Sequence, residues 1–94
     1  MFAQKLMEVS IMKKDVVIQM ETGMEARPIA LLVQIANQYN SQVYLDVEEK
    51  HVNAKSIMGM MSLALINGTK VTINAEGSDE EDVIAAMEKF LTNK

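Results

Sequence analysis

Residues that could carry chemistry are few in this sequence, and two of the places where they occur are predicted helix starts. In the stretch GMEARP, residues 23–28, Glu25 stands two residues before Arg27, and the only proline of the chain follows. Ser56 opens the second stretch, SIMGMMSLAL. The chain has one histidine and no cysteine, so a nucleophile that needs a histidine base has only His51 available. We interpret His51 as an ordinary surface strand residue.

Metal and phosphate-loop chemistry have no recognisable pattern here. His51 and the scattered carboxylates lack the spacing of a zinc site. The acidic run 79–82 lacks the alternating ligands and the glycine of a calcium loop, so it predicts a charged helix start. The sequence GTK at 68–70 lacks the remaining glycines of a phosphate loop. We therefore predict no metal, no cofactor and no catalytic residue, and we expect a protein that is not an enzyme.

Composition limits the protein to one small domain with a single core, since the chain has 94 residues of which 49% are hydrophobic. The absence of cysteine excludes a disulfide framework and favours a cytoplasmic location. A net charge of −4 argues against direct binding to nucleic acid, which normally requires clustered lysine and arginine. No apolar segment approaches the length needed to span a bilayer, so we expect no membrane association.

Strands are predicted where β-branched residues cluster or where apolar residues alternate. Residues 13–20 read as the first strand, and an alternating stretch from residue 41 to 48 reads as the second. A short return strand around His51 would complete a hairpin, although two glutamates suit its tight turn poorly. The last strand is marked by alternating apolar residues, Val71, Ile73 and Ala75. The strands so predicted number four.

Three helices complete the pattern. The first begins near Pro28 and presents one apolar face, made of Ile29, Leu32, Val33 and Ala36. A helix of about two turns follows Ser56, a good N-cap residue. The third begins with a capping-box pattern, Ser78 and Glu81, and carries one stripe made of Val83, Ile84, Met87, Phe90 and Leu91. The order predicts an α+β fold in which three helices cover one face of a four-stranded antiparallel sheet.

Residues 1–12 precede this domain, which we assign to residues 13–94. They show no decisive period, and Met12 would itself make a normal start of translation. One hypothesis is therefore that translation begins at Met12. The alternative is an added strand or a swapping arm, because this segment contains β-forming residues.

The short helix after Ser56 presents more bulky apolar side chains than a small core can take. Ile57, Met58, Met60 and Met61 occupy four of five consecutive positions, and such residues cannot all point the same way on a helix. At least one therefore faces solvent or a partner, and an exposed methionine patch suits adaptable docking.

Three stretches in their order and spacing resemble the HPr family of the bacterial phosphoenolpyruvate-dependent sugar phosphotransferase system. They are the GMEARP stretch, the sequence AKSIMGMMSLAL, and the sequence AEGSDEEDVI at the last helix start. The resemblance covers about residues 13–92 and implies the family's open-faced β-sandwich, a four-stranded antiparallel sheet with three helices on one face. It implies that Glu25 occupies the position of the family's phosphorylated histidine, which argues against the ordinary phosphocarrier role.

The resemblance is greatest to the catabolite-repression branch of the family, which lacks that histidine and keeps a regulatory serine. It implies that Ser56 is phosphorylated by an HPr kinase/phosphorylase, and that the protein then acts as corepressor of a LacI-type regulator. Ile57, Met58 and Met61 match the docking surface of the family, and Arg27 would lie beside the phosphate or a partner acid. The alternative is a phosphocarrier with an altered acceptor at Glu25. A homodimer is a further possibility, because the first strand can exchange between subunits in this family.

Overall fold

The computed structural model of this chain describes residues 11–19, 26–63 and 67–92, without the side chains of residues 26 and 27. Its elements follow the predicted order, and their bounds are β1 Ile11–Val17, α1 Ala26–Asn37, β2 Gln42–Val47, β3 Lys50–Asn53, α2 Ile57–Met60, β4 Lys70–Glu76 and α3 Glu80–Thr92. None of the helices in these ranges is long and apolar enough to cross a membrane.

The four strands form one antiparallel sheet in the order β1-β4-β2-β3, so β4 and β2 are central and β1 and β3 are edges. The predicted alternation in β2 is observed, because Val43, Leu45 and Val47 are buried while the residues between them are more exposed. The helices cover one face of the sheet, with α3 packed against β1 and β4 and with α1 packed against α3. The predicted α+β sandwich is therefore confirmed.

The core lies between this covered face and the helices. The apolar stripe predicted for α1 is buried, and so are four of the five residues of the α3 stripe. The exception is Phe90, which is half-buried against the core. Because both helices bury the faces that a period of 3.6 residues marks, their orientation follows directly from the sequence.

Two elements differ in length from the prediction. The first strand begins at Ile11 rather than at residue 13, because Ile11 and Met12 pair with Glu76 and Ala75 of β4. It ends at Val17 rather than at residue 20. The helix after Ser56 has only four residues instead of about two turns. Residues 1–10 lie outside the described residues, so both hypotheses for the N-terminal segment and the boundary of the domain remain predictions.

The hairpin of β2 and β3 is present, with Val47 paired to Lys50 across a turn of two residues. Glu48 takes a φ of 56° there, which is the left-handed region that an L residue with a Cβ adopts only at a cost. The poor fit of two glutamates to this turn was expected from the sequence. Tertiary pairing of the two strands overrides that local preference.

The predicted capping box of Ser78 and Glu81 is not observed, since neither side chain makes a hydrogen bond to a described residue. The helix begins at Glu80, and the backbone N–H of Gly77 donates to Glu80 Oε1 at 3.1 Å. Asp79 accepts the first helical hydrogen bond through its carbonyl, from Val83 N–H at 3.1 Å. Ser78 does not take the cap position because Asp79, the next residue, is hydrogen-bonded to the turn that follows α1.

The hydrogen bonds of Asp79 connect two parts of the chain that are distant in sequence. Asp79 Oδ2 accepts from Asn40 N–H at 2.8 Å, and Oδ1 accepts from Ser41 N–H at 2.9 Å and from the Ser41 hydroxyl. The hydrogen bond from the Ser41 hydroxyl, followed by that from the Asn40 backbone, lowers the pKa of Asp79 below its usual 3.8. Ser41 itself is fully buried. The carboxylate therefore anchors the start of α3 to the start of β2.

Asp79→Asn should make the protein less stable and less sensitive to acid. Because the folded pKa of Asp79 is lowered, its contribution is fully present above about pH 4 and is lost as the pH falls through the folded pKa. The side chain of asparagine keeps one acceptor oxygen, but its NH₂ group replaces the other oxygen. That NH₂ group would face a backbone N–H that needs an acceptor. Urea unfolding from pH 7 down to pH 2 should show lower stability at neutral pH and a shallower decline below pH 4.

The matched control is Asp82→Asn, one turn further along α3. Asp82 is exposed, and its side chain has no hydrogen bond or ion pair to any described residue. Its variant should keep the wild-type acid profile. An equally shallow profile for both variants would contradict the role given to Asp79.

Gly77→Ala should destabilise the protein by about 1–3 kcal/mol, the usual cost of overpacking. A Cβ at Gly77 would lie 2.5 Å from Ser41 Oγ and 2.7 Å from Ser41 Cα, and the backbone φ there is 156°. Since a backbone atom cannot move aside as a flexible side chain can, the α3 start would shift. Chemical denaturation measures the loss. Gly59→Ala, whose added Cβ meets its neighbours no closer than 3.6 Å, serves as the control and should cost less.

Candidate functional site

Ser56 caps α2, as the sequence predicts. Its backbone is extended, with φ −104° and ψ 114°, and its hydroxyl oxygen accepts from Gly59 N–H at 3.3 Å. Its carbonyl accepts from Met60 N–H at 2.9 Å, which closes the single turn of the helix. The amide N–H groups of Ile57 and Met58 donate to no acceptor among the described residues. The hydroxyl therefore lies beside two unsatisfied backbone donors.

The backbone before Ser56 is held by hydrogen bonds from two sides. Ser56 N–H donates to the carbonyl of Asn53 at 3.0 Å, and the Asn53 side chain accepts from Lys55 N–H at 2.8 Å. On the other side, Asn37 Nδ2 donates to the Lys55 carbonyl at 3.3 Å, and Lys55 Nζ donates to the Tyr39 carbonyl at 2.7 Å. The end of α1 and the end of β3 together fix the position of the serine.

The apolar side chains of α2 divide as the sequence indicates. Met60 is fully buried in the core, whereas Ile57 and Met61 are about half exposed and Met58 is 82% exposed. A single helical turn can direct only part of its residues inward, so three large apolar side chains remain on the outside. We call Ile57, Met58 and Met61 the α2 apolar surface. It adjoins the serine that caps the same helix.

Leu31 is one exposed apolar residue that the sequence analysis missed. It lies on α1, which packs against α2, and it is 44% exposed. The sequence could have indicated its exposure, because Leu31 falls outside the apolar stripe of α1, whereas Leu32 belongs to that stripe. A large apolar residue off the buried stripe of an amphipathic helix is a candidate for a contact surface.

The GMEARP stretch is only partly described. Arg27 is the second residue of α1 and Pro28 the third, so the proline stands in the first turn, as predicted. The side chain of Arg27 and all of Glu25 lie outside the described residues. The predicted approach of Arg27 to Ser56 and the role of Glu25 therefore remain predictions.

In the described ranges, no three or more side chains of histidine, cysteine, aspartate or glutamate are grouped so that they could hold a metal ion. The acidic residues at 79–82 are used instead at the start of α3, as described above.

A model of the family "PTS HPr component phosphorylation site" matches residues 12–93 of this chain. The HPr-like protein Crh of Halalkalibacterium halodurans is 43% identical over 81 residues, which cover 86% of this chain and 96% of that protein. The crystal structure of the phosphocarrier protein HPr from Bacillus anthracis superposes with a TM-score of 0.84 at 41% identity, covering 87% of this chain and 98% of that one.

A crystal structure of Crh from Bacillus subtilis, which is a dimer with a swapping domain, superposes with a TM-score of 0.70 at 46% identity. The superposition covers 83% of this chain and 90% of that one. Sequence and fold thus agree over nearly the full length of the relatives. The chain belongs to the HPr family, whose members are phosphocarrier and regulatory proteins rather than enzymes.

Proposed function

We propose that the protein is a non-enzymatic regulator whose switch is phosphorylation of Ser56 by an HPr kinase/phosphorylase that uses ATP. In its phosphorylated form it acts as corepressor of a LacI-type regulator in carbon catabolite repression, in the cytoplasm. The observation that carries the proposal is the position of Ser56, which caps α2 beside the exposed side chains of the α2 apolar surface.

The surroundings of Ser56 support an added phosphate. The free N–H groups of Ile57 and Met58 are donors for its oxygens. Gly59 is the third residue of the helix, and an added Cβ there would lie 3.6 Å from Ser56 Oγ, so the glycine leaves that space open. With only four residues α2 has little dipole, and the local donors therefore contribute most. Arg27 is the proposed cationic partner of the phosphate.

The α2 apolar surface is the proposed docking site for both the kinase and the regulator. Apolar area that is exposed in the free protein and covered in a complex supplies binding free energy, and flexible methionine side chains adapt to more than one partner. The phosphate then adds a charge-assisted contact with arginine or lysine of the partner. The apolar area thus contributes to binding of both proteins, whereas the phosphate contributes to binding of the regulator and so selects between them.

A second function is a phosphocarrier that uses Glu25 in place of the histidine of the family. The match to a family named for its phosphorylation site favours keeping it as the alternative. It predicts that phosphoenolpyruvate and the first enzyme of the phosphotransferase system label the protein. A carboxylate would form an acyl phosphate, which hydroxylamine cleaves. The absence of label under these conditions would exclude this function.

The test of the leading proposal uses the purified full chain, the kinase and ATP. We expect one acid-stable phosphate per chain. Fluorescence anisotropy with labelled operator DNA should then show that the phosphorylated form raises the operator affinity of the LacI-type regulator by about tenfold, a usual size of coupling. Unphosphorylated protein is the control. The proposal fails if no phosphate is incorporated or if both forms leave the operator affinity unchanged.

Homodimer formation through exchange of β1 is a further part of the proposal. The dimeric Crh structure with a swapping domain supports it, as does the edge position of β1 in this sheet. Sedimentation velocity at two protein concentrations would measure the monomer and dimer fractions.

A further inference from the structure

Methionine supplies all the sulfur of this chain, because the sequence has nine methionines and no cysteine. A peroxide oxidises the thioether of methionine to a sulfoxide, which converts a flexible apolar side chain into a polar one. The structure describes the methionines at 12, 58, 60, 61 and 87, and the other four lie outside the described residues. Which of the described five a peroxide can reach depends on their burial.

Exposure divides these five methionines into two groups. Met60 and Met87 are fully buried, and Met12 is half-buried against the core. Met58 is 82% exposed and Met61 is 51% exposed. Among the described residues, the methionine side chains that are open to solvent are therefore Met58 and Met61.

Both exposed methionines belong to the α2 apolar surface. Met58 is the second residue of α2 and lies two residues after Ser56, and Met61 is the C-cap of the same turn. Ile57, the third member of this surface, carries no sulfur. The peroxide-sensitive side chains of the described residues thus coincide with the proposed docking site and adjoin the proposed phosphorylation site.

Oxidation at these two positions should leave the fold intact, because α2 is held by contacts that use neither thioether. Met60 N–H donates to the Ser56 carbonyl at 2.9 Å, and Met61 N–H donates to the Ile57 carbonyl at 2.9 Å. The side chain that this turn places in the core is that of Met60. A sulfoxide oxygen at Met58 or Met61 therefore lies in solvent in the free protein, whereas a partner that covers it must bury an unpaired polar atom.

We propose that Met58 and Met61 form a reversible modification site at which oxidation by a peroxide weakens docking of the LacI-type regulator. The inference rests on the proposed function, because it requires that the α2 apolar surface is the docking site. A sulfur lone pair attacks one oxygen of hydrogen peroxide, an S–O bond forms and the O–O bond breaks, and the second oxygen leaves as water after proton transfer. Sulfur loses two electrons and the peroxide gains them. A methionine sulfoxide reductase, which takes two electrons from thiols, restores the thioether and releases the oxygen as water.

The first measurement locates the oxidised residues. The purified full chain, phosphorylated at Ser56, is treated with dilute hydrogen peroxide and digested at intervals for peptide mass mapping. We expect one added oxygen at Met58 first and at Met61 next, while Met60 gains none as long as the protein is folded. Met60 is the internal control, since it lies on the same turn and differs in burial. Oxidation of Met60 at the rate of Met58 would overturn the proposal.

The second measurement is calorimetric titration of the regulator with the phosphorylated protein, before and after peroxide treatment. We expect oxidation to weaken binding by about tenfold, because an unpaired polar oxygen is then buried, and we expect the reductase to restore the affinity. The control variant carries Met58→Leu and Met61→Leu, which keep an apolar side chain of similar volume and remove both thioethers. Whatever its affinity before treatment, that affinity should be unchanged afterwards, although the methionines at 1, 7, 20 and 24 are still present.

The outcomes separate this inference from the proposed function. If the phosphorylated protein does not bind the regulator before peroxide is added, the proposed function fails and the inference fails with it. If it binds, and the oxidised form binds equally well or the leucine variant loses affinity to the same degree, the inference alone is overturned.

Discussion

Ser56→Ala should gain no phosphate from the kinase and ATP, and it should no longer raise the operator affinity of the regulator. The variant removes the acceptor oxygen and, with it, the hydrogen bond to Gly59 N–H. Loss of a helix N-cap costs about 1 kcal/mol, which is small against the usual stability of a domain. The variant therefore remains folded, and the missing phosphate reports on the acceptor. Intact mass measurement after the kinase reaction gives the result directly.

Ser62→Ala is the control for that experiment. Ser62 lies just beyond α2, is exposed, and donates through its hydroxyl to the Gly59 carbonyl at 2.6 Å. Its removal should leave one phosphate per chain. If the Ser56 variant were still phosphorylated, or if only the Ser62 variant lost the label, the assignment of the regulatory serine would be wrong.

The fold could be predicted from the sequence because its strongest signals are periodic and local. Val43, Leu45 and Val47 alternate, the two long helices carry continuous stripes, and each pattern corresponds to one buried face. The errors occur where long-range contacts override local preference. Ile11 and Met12 belong to β1 because β4 offers pairing partners, and the start of α3 is fixed by the contact of Asp79 with Asn40 and Ser41.

In the candidate site, too, local features could be predicted from the sequence and long-range contacts could not. An N-cap serine before a short apolar run is a local signal, and the structure has that cap. The sequence also required some apolar side chains of α2 to be exposed, but it could not say which, since that depends on how the helix is rotated against the core. On the uncovered face of the sheet, the contact between Asp46 and His51 was implicit in the predicted hairpin, because a turn at residues 48–49 sets these two residues opposite each other. The hydrogen bond that Asn74 donates to Asp46 depends on the position of β4, so it could not be predicted from the sequence.

Met58 and Met60 allow docking to be separated from stability with the same chemical change on one helical turn. Met60→Ala should destabilise the protein by about 2–5 kcal/mol, because it removes a fully buried side chain and leaves a cavity that the core refills only in part. Met58 is 82% exposed, so Met58→Ala should change the unfolding free energy by no more than about 0.5 kcal/mol. Urea denaturation measures both values.

Binding should respond in the opposite order. If the α2 apolar surface is the docking site, Met58→Ala should weaken binding of the phosphorylated protein to the regulator by about tenfold, which corresponds to about 1.4 kcal/mol. Met60→Ala should bind nearly as the wild type does once affinity is expressed per folded molecule. Calorimetric titration below the unfolding transition gives both constants. Unchanged affinity for Met58→Ala would remove this surface from the interface. A stability loss as large as that of Met60→Ala would show instead that Met58 packs into the core, and the two methionines would no longer be distinguishable by role.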